Sequence, residues 1–574
     1  MTSEATSEAP PEQRSWGQAI RIWFERRTLV MLALGFAAGL PNLLIFDTLS
    51  AWLREAGLSL EVIGFFALAT LSYSLKFIWA PLVDRVHIPG LTRLIGHRRS
   101  WMLVAQAAIV VGLWLIAGAN PAADLGRMAV LAVLVGFAGA TQDIVIDAWR
   151  IEAAPGDRQG PMATAYQWGY RVAVIVAGAA PLVLAELYSW NFSYAVMTAL
   201  MGVGIAAVLL APREAQHVVR PIPVGDLPSR PAAEFGEWLA RLALIAIAAL
   251  IIGSGLTGKP DLLAGSLSAI GAGGAAEPIS SAWTAKGSGV FVQVAGVVAG
   301  FALLIAACWP IPGHRTRPGA YLAGSFGTPL KDFFERFAGL ATLILALICV
   351  YRLADFVLNI MNPFYLDLGF TKTEIAEVRK VFGVVASMIG VFVGGLSVAR
   401  LGIIRTMVIG SFASPLSNLV FAWLAVEGPQ LQALFVAIGI DNFATGYAGT
   451  ALIAYMSSLT SAGFTATQYA LFTSLYALPG KLIASQSGRL VEASARAAEP
   501  GGPFAALTGL FARLPAGSLA EGAATAGVTP AMLGAGYVVF FLYSTAIGVF
   551  AIALAFVVAA RSPRPPTAAE PAPA

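Results

Sequence analysis

The residues of this chain able to do chemistry are ionisable side chains set well inside otherwise apolar runs: Asp47, Lys76, Asp143 with Asp147, Arg171, Arg352 with Asp355, Lys380, Asp441 and Lys481. A charge at the centre of a membrane helix costs about 2.5–3.5 kcal/mol on an insertion scale. Such residues face a bundle interior, pair with each other or line a polar pathway. Asp143 and Asp147 are four apart and share one helix face. Two carboxylates that close share a proton, which is what a proton-coupled carrier needs. Asp147, nearer a helix end, also reads as a simple partner of Arg85 or Arg150, whereas Asp143, about a turn deeper, reads as the functional acid. Arg352 and Asp355 are three apart and can pair locally. Together, Asp143, Asp147, Asp355 and Asp441 are the candidates for proton coupling. Arg171 and Lys481 read equally as internal salt-bridge partners or as cations for a substrate carboxylate. Lys380 lies about two turns from a helix end and can snorkel.

These residues must be positioned by membrane helices. The chain has 574 residues, 57% of them hydrophobic and only 12% charged, with a mean hydropathy of +0.75. Soluble domains are about 25% charged, so an all-α polytopic membrane protein is expected. The apolar runs are 29–53, 60–83, 101–119, 127–150, 161–188 and 193–211, then 238–257 and 289–309, then 338–366, 374–399, 404–425, 432–460, 466–492 and 533–560. Each approaches the roughly 20 residues that cross a bilayer. The two runs near the middle carry no internal charge and read as an additional pair, packed on the outside, in the linker between two six-helix halves. Numbering the other twelve in order, the buried charges fall on helices 1, 2, 4, 5, 7, 8, 10 and 11, and none on 3, 6, 9 and 12. The same pattern in each half points to a transporter built from repeats.

The division that follows is a cytoplasmic segment 1–28, an N-terminal bundle 29–212, a linker 213–330 holding the additional pair, a C-terminal bundle 331–562 and a disordered tail 563–574. Arg and Lys concentrate in the 2–3 loop, on both sides of the central pair, around the 8–9 loop and after helix 12. That places both termini in the cytoplasm. The opposite loops include two long Gly/Ala/Pro-rich ones, 258–288 and 493–529. The first run has no cleavage site behind it and reads as a start-transfer helix. The net charge of +4 belongs to these loops, and no basic stripe with interleaved aromatics points to nucleic acid. Cys308 and Cys349 sit in apolar helices. His87, His97, His217 and His314 lie in loops without metal-ligand spacing and read as solvated. With no histidine in the spans and no base beside either cysteine, an enzyme is not expected, and neither a metal nor a cofactor.

Around helix 2 the chain reads Lys76-Phe77-Ile78-Trp79-Ala80-Pro81-Leu82-Val83-Asp84-Arg85, with Gly96-His97-Arg98-Arg99 following. This resembles the helix 2–3 loop motif of the major facilitator superfamily, a charge latch in which Asp84 meets the positive end of a helix and Arg85 pairs with an acid at the end of helix 4. A half-motif after helix 8 ends in Ala399-Arg400, with Arg400 the remaining latch residue. Asp84, Arg85, Arg98, Arg99 and Arg400 form the candidate latch.

The run Leu34-Gly35-Phe36-Ala37-Ala38-Gly39-Leu40-Pro41, the helix 2 block, Gln142-Asp143-Ile144-Val145-Ile146-Asp147-Ala148-Trp149, Gly169-Tyr170-Arg171 and Phe464-Thr465-Ala466-Thr467-Gln468-Tyr469-Ala470-Leu471 together resemble the AmpG muropeptide permeases. That family also carries two additional central helices. The resemblance implies a major facilitator fold of two six-helix bundles plus the central pair, about 14 spans in all. It implies a monomer in the bacterial inner membrane that imports N-acetylglucosaminyl-anhydro-N-acetylmuramyl compounds, with the proton gradient as energy source. Arg171, Lys481, Lys76 and Arg352 would take substrate carboxylates, with Gln142, Gln468 and Asn442 completing the polar set. Tyr166, Trp168, Tyr170, Tyr351 and Tyr469 would stack on sugar faces. This sequence departs from the familiar pattern at Asp47, Arg352, Lys481 and Asp441, which leaves a carrier of another anionic solute (a siderophore, a nucleotide or acyl-CoA-like derivative, a small peptide) as the alternative.

Overall fold

The structure is a computed structural model that describes residues 21–57, 71–121, 123–154, 158–214, 222, 227–269, 271–285, 288–311, 315–484, 486–515 and 517–562. Every regular element among them is helical. Among the described residues, eleven helices are long and apolar enough to cross a membrane. They include helices 1 (Arg26–Glu55), 3 (His97–Ala117), 4 (Leu125–Glu152), 5 (Gln159–Leu187) and 6 (Trp190–Leu210) of the first half. Helices 7 (Ala341–Leu368), 8 (Gly383–Leu401), 9 (Ile403–Glu427) and 12 (Pro530–Arg561) follow in the second. The central pair, Pro231–Thr257 and Gly289–Cys308, completes the set.

The other three expected spans differ. Helix 2 is described only from residue 71, as Leu71–Leu75, Lys76–Ile78 and Ala80–Arg85. Helix 10 is unbroken from Leu431 to Ser458 but carries Asp441, Asn442 and several hydroxyls, so it is less apolar. The run 466–492 is two helices, Thr465–Ala484 (helix 11) and Ser487–Arg496.

Apolar packing divides the helices into two bundles. Leu40, Ile109, Leu113, Val135 and Met197 bring helices 1, 3, 4 and 6 together. Phe364, Phe421, Leu434 and Phe541 do the same for helices 7, 9, 10 and 12. The central pair is a helical hairpin in which glycines of each helix seat β-branched side chains of the other, Gly255 against Val297 and Gly300 against Ile252. It packs on helix 2, where Phe301 stacks on Phe77 with centroids 5.9 Å apart, and turns Phe291, Val298 and Ile305 outward. It is peripheral, as expected.

The helix interruptions coincide with charge. Helix 1 has a π-turn at Leu44–Thr48, which contains Asp47. Helix 2 has a 3-10 turn at Lys76–Ile78. Helix 7 breaks at Tyr351 and Arg352, and helix 8 is preceded by a π-turn at Val378–Phe382, which contains Lys380. Such turns free backbone groups and recur at functional sites. They occupy corresponding helices of the two halves, 1 with 7 and 2 with 8. Asp47 is exposed, however, and does not join a polar interior.

Two segments without an assigned role in the sequence are ordered. The amphipathic helix Arg317–Arg336 ties the bundles at the end where Arg85, Arg98 and Arg150 lie, hereafter the basic end. Arg85 donates to the Gly324 carbonyl and Gln468 to the Pro329 carbonyl at 2.9 Å. At the opposite end, the 493–529 segment folds onto helices 7 and 12. Leu519 is its anchor: the side chain is fully buried and its N–H donates to the Asp367 carbonyl at 2.6 Å. Those contacts hold Leu519 at φ +63°, a conformation that costs a non-glycine residue about 1–3 kcal/mol.

Candidate functional site

Between the bundles lies a cavity of about 560 Å³. Its wall is built from stripes at helical spacing. Helix 4 contributes Asp143 and Asp147, and helix 5 Tyr166, Gln167, Tyr170, Arg171 and Val174. Helix 10 adds Gly449, Leu452, Ile453 and Met456, and helix 11 Tyr469, Thr473, Tyr476 and Ala477. Tyr73, Ser74 and Lys76 come from the irregular part of helix 2, and Arg352 and Phe356 from the break in helix 7. Gly449 leaves room for Arg352: a Cβ there would stand 3.0 Å from its Nη1.

The charges are unevenly paired. Asp147 meets Arg150 at 3.4 Å and Lys76 at 4.0 Å, so the expected local partner is Arg150 and not Arg85. Arg352 donates through Nε to Asp355 at 2.7 Å. Among the described residues no ion pair reaches Asp143 or Arg171. Asp143 is 8% exposed, and its Oδ1 is buried without a hydrogen-bond partner. An unpaired buried carboxylate costs several kcal/mol, so such a group takes up a proton or waits for a cation. The cavity therefore offers an acid with one free oxygen, a cation without a counterion, and five tyrosine rings.

Several expected binding residues lie elsewhere, because neighbours on a helix point about 100° apart. Gln142 is buried against helix 1 and donates to the Ala37 carbonyl at 3.0 Å. Trp168 reaches across to helix 8 and donates to the Met388 carbonyl at 2.9 Å. Asn442 donates back to the Ile438 carbonyl, and Tyr351 is buried with its hydroxyl on the Met407 carbonyl. Gln468 joins Pro329, Asp332 and Arg336 at the basic end. Asp355 and Asp441 sit inside the C-terminal bundle with helix 9 serines. The side chains of Lys380 and Lys481 lie outside the described residues. Tyr73, Gln167, Thr473 and Tyr476 were not singled out from the sequence. The spacing 469, 473, 476 on helix 11 and 166, 167, 170, 171 on helix 5 is the signal that marks them.

At the basic end the bundles are joined. Asp84 is buried and accepts from the Ala466 N–H at 3.1 Å, the Thr467 N–H at 2.8 Å and the Thr467 hydroxyl at 2.6 Å. It sits on the N-terminus of helix 11, where dipole and free N–H groups favour an anion. Arg98 joins this cluster, 2.7 Å from Asp84 and 2.6 Å from Glu152 at the end of helix 4. The acid expected for Arg85 thus goes to Arg98. Arg99 caps helix 6 through the Val208 and Leu209 carbonyls, and Arg400 is exposed at the end of helix 8. His97, expected in solvent, is buried with Nε2 2.7 Å from the Val83 carbonyl oxygen. His217 and His314 lie outside the described residues.

Further contacts close the same end. Gln167 donates to Thr450 at 2.8 Å and Thr164 to the Val391 carbonyl at 2.9 Å. Arg150 donates to Ser457 at 2.9 Å and its guanidinium lies 5.2 Å from the Tyr469 ring centroid. Gly160 and Gly395 let helices 5 and 8 touch: a Cβ on Gly395 would stand 2.1 Å from the Thr164 hydroxyl oxygen.

The chain is similar to the "Putative transporter AmpG 4" of Rickettsia conorii, 29% identical over 82% of this chain and 91% of that one. It is also 29% identical to the "Anhydromuropeptide permease" of Escherichia coli, over 83% of this chain and 76% of that one. The resemblance to the AmpG permeases extends over most of the chain. The family model for acetyl-coenzyme A transporter 1 matches residues 27–125. Among solved structures, the proton:xylose symporter XylE aligns over 92% of this chain and 96% of that one, at 11% identity and a TM-score of 0.48. Among the described residues the chain is all helical, with eleven helices long and apolar enough to cross a membrane, and the relatives it resembles over most of its length are named as a transporter and a permease.

Proposed function

We propose that this protein imports peptidoglycan breakdown products, GlcNAc-anhydroMurNAc compounds with or without peptide, across the bacterial inner membrane in symport with protons. Both termini and the basic end would face the cytoplasm. The observation that carries the reading is the cavity itself, where a buried acid with one oxygen unbonded, an arginine in no ion pair among the described residues, and five tyrosines share one wall. Similarity to a permease named for anhydromuropeptides supplies the substrate class. A volume of about 560 Å³ lies within the roughly 300–1,000 Å³ of small-molecule sites.

In this reading the tyrosine faces stack on sugar rings, and Arg171, with Arg352, takes the lactyl or peptide carboxylate through charge-assisted hydrogen bonds. Asp143 is the principal protonation site. Ionised, it competes with the substrate carboxylate for Lys76 and Arg171. Protonated, it releases them, so proton and substrate are held together. The latch at Asp84 then alternates with an open cytoplasmic end. Protons are the only energy source required, and no cofactor.

Asp143→Asn tests the assignment in membrane vesicles. Gradient-driven uptake of the disaccharide should vanish while binding persists. Normal accumulation by that variant removes Asp143 from the mechanism. The family-model match favours one alternative, an acyl-CoA-like solute, and competition of purified protein between acetyl-CoA and anhydro-muropeptide separates the two.

A further inference from the structure

The C-terminal bundle holds a second acid centre behind the cavity wall, and it involves helix 9, whose charges, Arg405 and Glu427, lie only at its two ends. Ser417 on helix 9 has its Oγ 3.2 Å from Oδ1 of Asp441 on helix 10. The same Oγ lies 2.7 Å from the Ser414 carbonyl oxygen. A serine hydroxyl carries one hydrogen and cannot donate to both. The shorter contact goes to the carbonyl. The contact to Asp441 is then a hydrogen bond only if Asp441 brings the proton.

Asp355 is the opposite case. One oxygen accepts from Arg352 Nε at 2.7 Å and the other from the Ser414 hydroxyl, so it is satisfied as a carboxylate. No ion pair among the described residues includes Asp441. The charged groups acting on it are Asp355 and Arg352 from helix 7 and Arg379 from the turn before helix 8, with Tyr365 also near it. Among the described residues, the hydrogen bond between helix 9 and Asp441 is made by Ser417.

We infer that Ser417 is a positioning residue that couples a second, exchangeable proton on Asp441 to the Arg352–Asp355 pair, an inference that rests on the proton-coupled reading above. With the proton in place, Asp441 donates to Ser417, Ser417 donates to the Ser414 carbonyl, and Arg352 answers to Asp355 alone. When the proton leaves for water, Ser417 turns its hydrogen to the Asp441 carboxylate. Two carboxylates then draw on Arg352, which also lines the cavity. Proton occupancy inside the bundle is thereby reported to the group that holds the substrate's anion.

The test uses full-length protein in liposomes with tritiated GlcNAc-anhydroMurNAc as probe. Counterflow at equal pH on both sides is compared with accumulation driven by a pH gradient. Asp441→Asn, which is isosteric, and Ser417→Ala should keep counterflow, flatten its dependence on pH, and lose about tenfold in accumulation, within the usual span of coupling between two sites. Ser417→Thr, which restores a hydroxyl, should recover both. A Ser417→Ala protein with the wild-type pH profile and accumulation overturns the inference. So does equal loss of counterflow and accumulation in the Ala and Thr variants alike, which marks a packing role. If Ser417→Ala does not reach the membrane, Asp441→Asn decides: wild-type accumulation overturns the inference. Accumulation by the unaltered protein that ignores the gradient sinks the proton-coupled reading, and this one with it.

Discussion

Asp84→Ala should release the basic end of the protein. The three bonds that Asp84 accepts from Ala466 and Thr467 run from one bundle to the other, so they exist only while the bundles touch there. Arg98 keeps Glu152, which belongs to its own bundle, and is not left as a lone buried charge. With the bundles apart, the same groups hydrate. Each bond is then worth about 1 kcal/mol net, or about 3 kcal/mol for the three. At 1.4 kcal/mol per factor of ten, the ratio of closed to open protein should fall about a hundredfold. The assay is a pulsed spin-label distance between Leu94 and Leu401, exposed positions on opposite bundles at this end, with Cys308 and Cys349 replaced by serine. The unaltered protein should give a short distance and Asp84→Ala a dominant long one. Adding Thr467→Ala should shift the distribution little further, because its partner is already gone. A distribution that superimposes on that of the unaltered protein would refute the assignment of Asp84 as the latch.

Two other outcomes test packing. A Cβ at Gly169 would stand 1.9 Å from the Leu32 carbonyl oxygen and 2.7 Å from the Phe36 nitrogen. Both are backbone atoms that cannot rotate away, so Gly169→Ala should cost about 3 kcal/mol or more and lower the melting temperature in detergent. Gly126→Ala, which meets open space, should be neutral or gain up to about 1 kcal/mol; equal melting temperatures for the two would contradict the packing. Arg352→Gln should destabilise by about 3–5 kcal/mol because it strands Asp355. Asp355→Asn in the same chain should recover most of that loss, and a double variant no more stable than the single one in thermal unfolding would show that the pair is not coupled.

Much of the site was legible because charge and apolar length are local properties. Asp143 and Asp147 share a face at a spacing of four whatever surrounds them. Asp84 sits where a loop motif puts it, and it met a helix N-terminus as that motif implies. Neighbours were harder to separate. Gln167 faces the cavity while Trp168, one residue on, reaches helix 8, and Gln142 is buried beside the cavity-lining Asp143. Periodicity defines the stripes, but which stripe faces inward depends on what packs against the others. The same holds for Glu152: Arg98 pairs with it because helix 3 starts beside the end of helix 4.

What the sequence by itself determined is that the chain carries many membrane-length apolar runs, that its two halves repeat a pattern of charge within them, and that these charges lie on helices 1, 2, 4, 5, 7, 8, 10 and 11. Those follow from the cost of charge in hydrocarbon and from helical spacing. The tertiary structure alone decided that, among the described residues, no ion pair reaches Asp143 or Arg171 while Asp147, Asp355 and Asp84 are taken. It also decided that helix 9, with charge only at its ends, holds the serines between Asp355 and Asp441. Pairing depends on distances of a few ångströms between residues tens to hundreds of positions apart, and only the packed bundles set them.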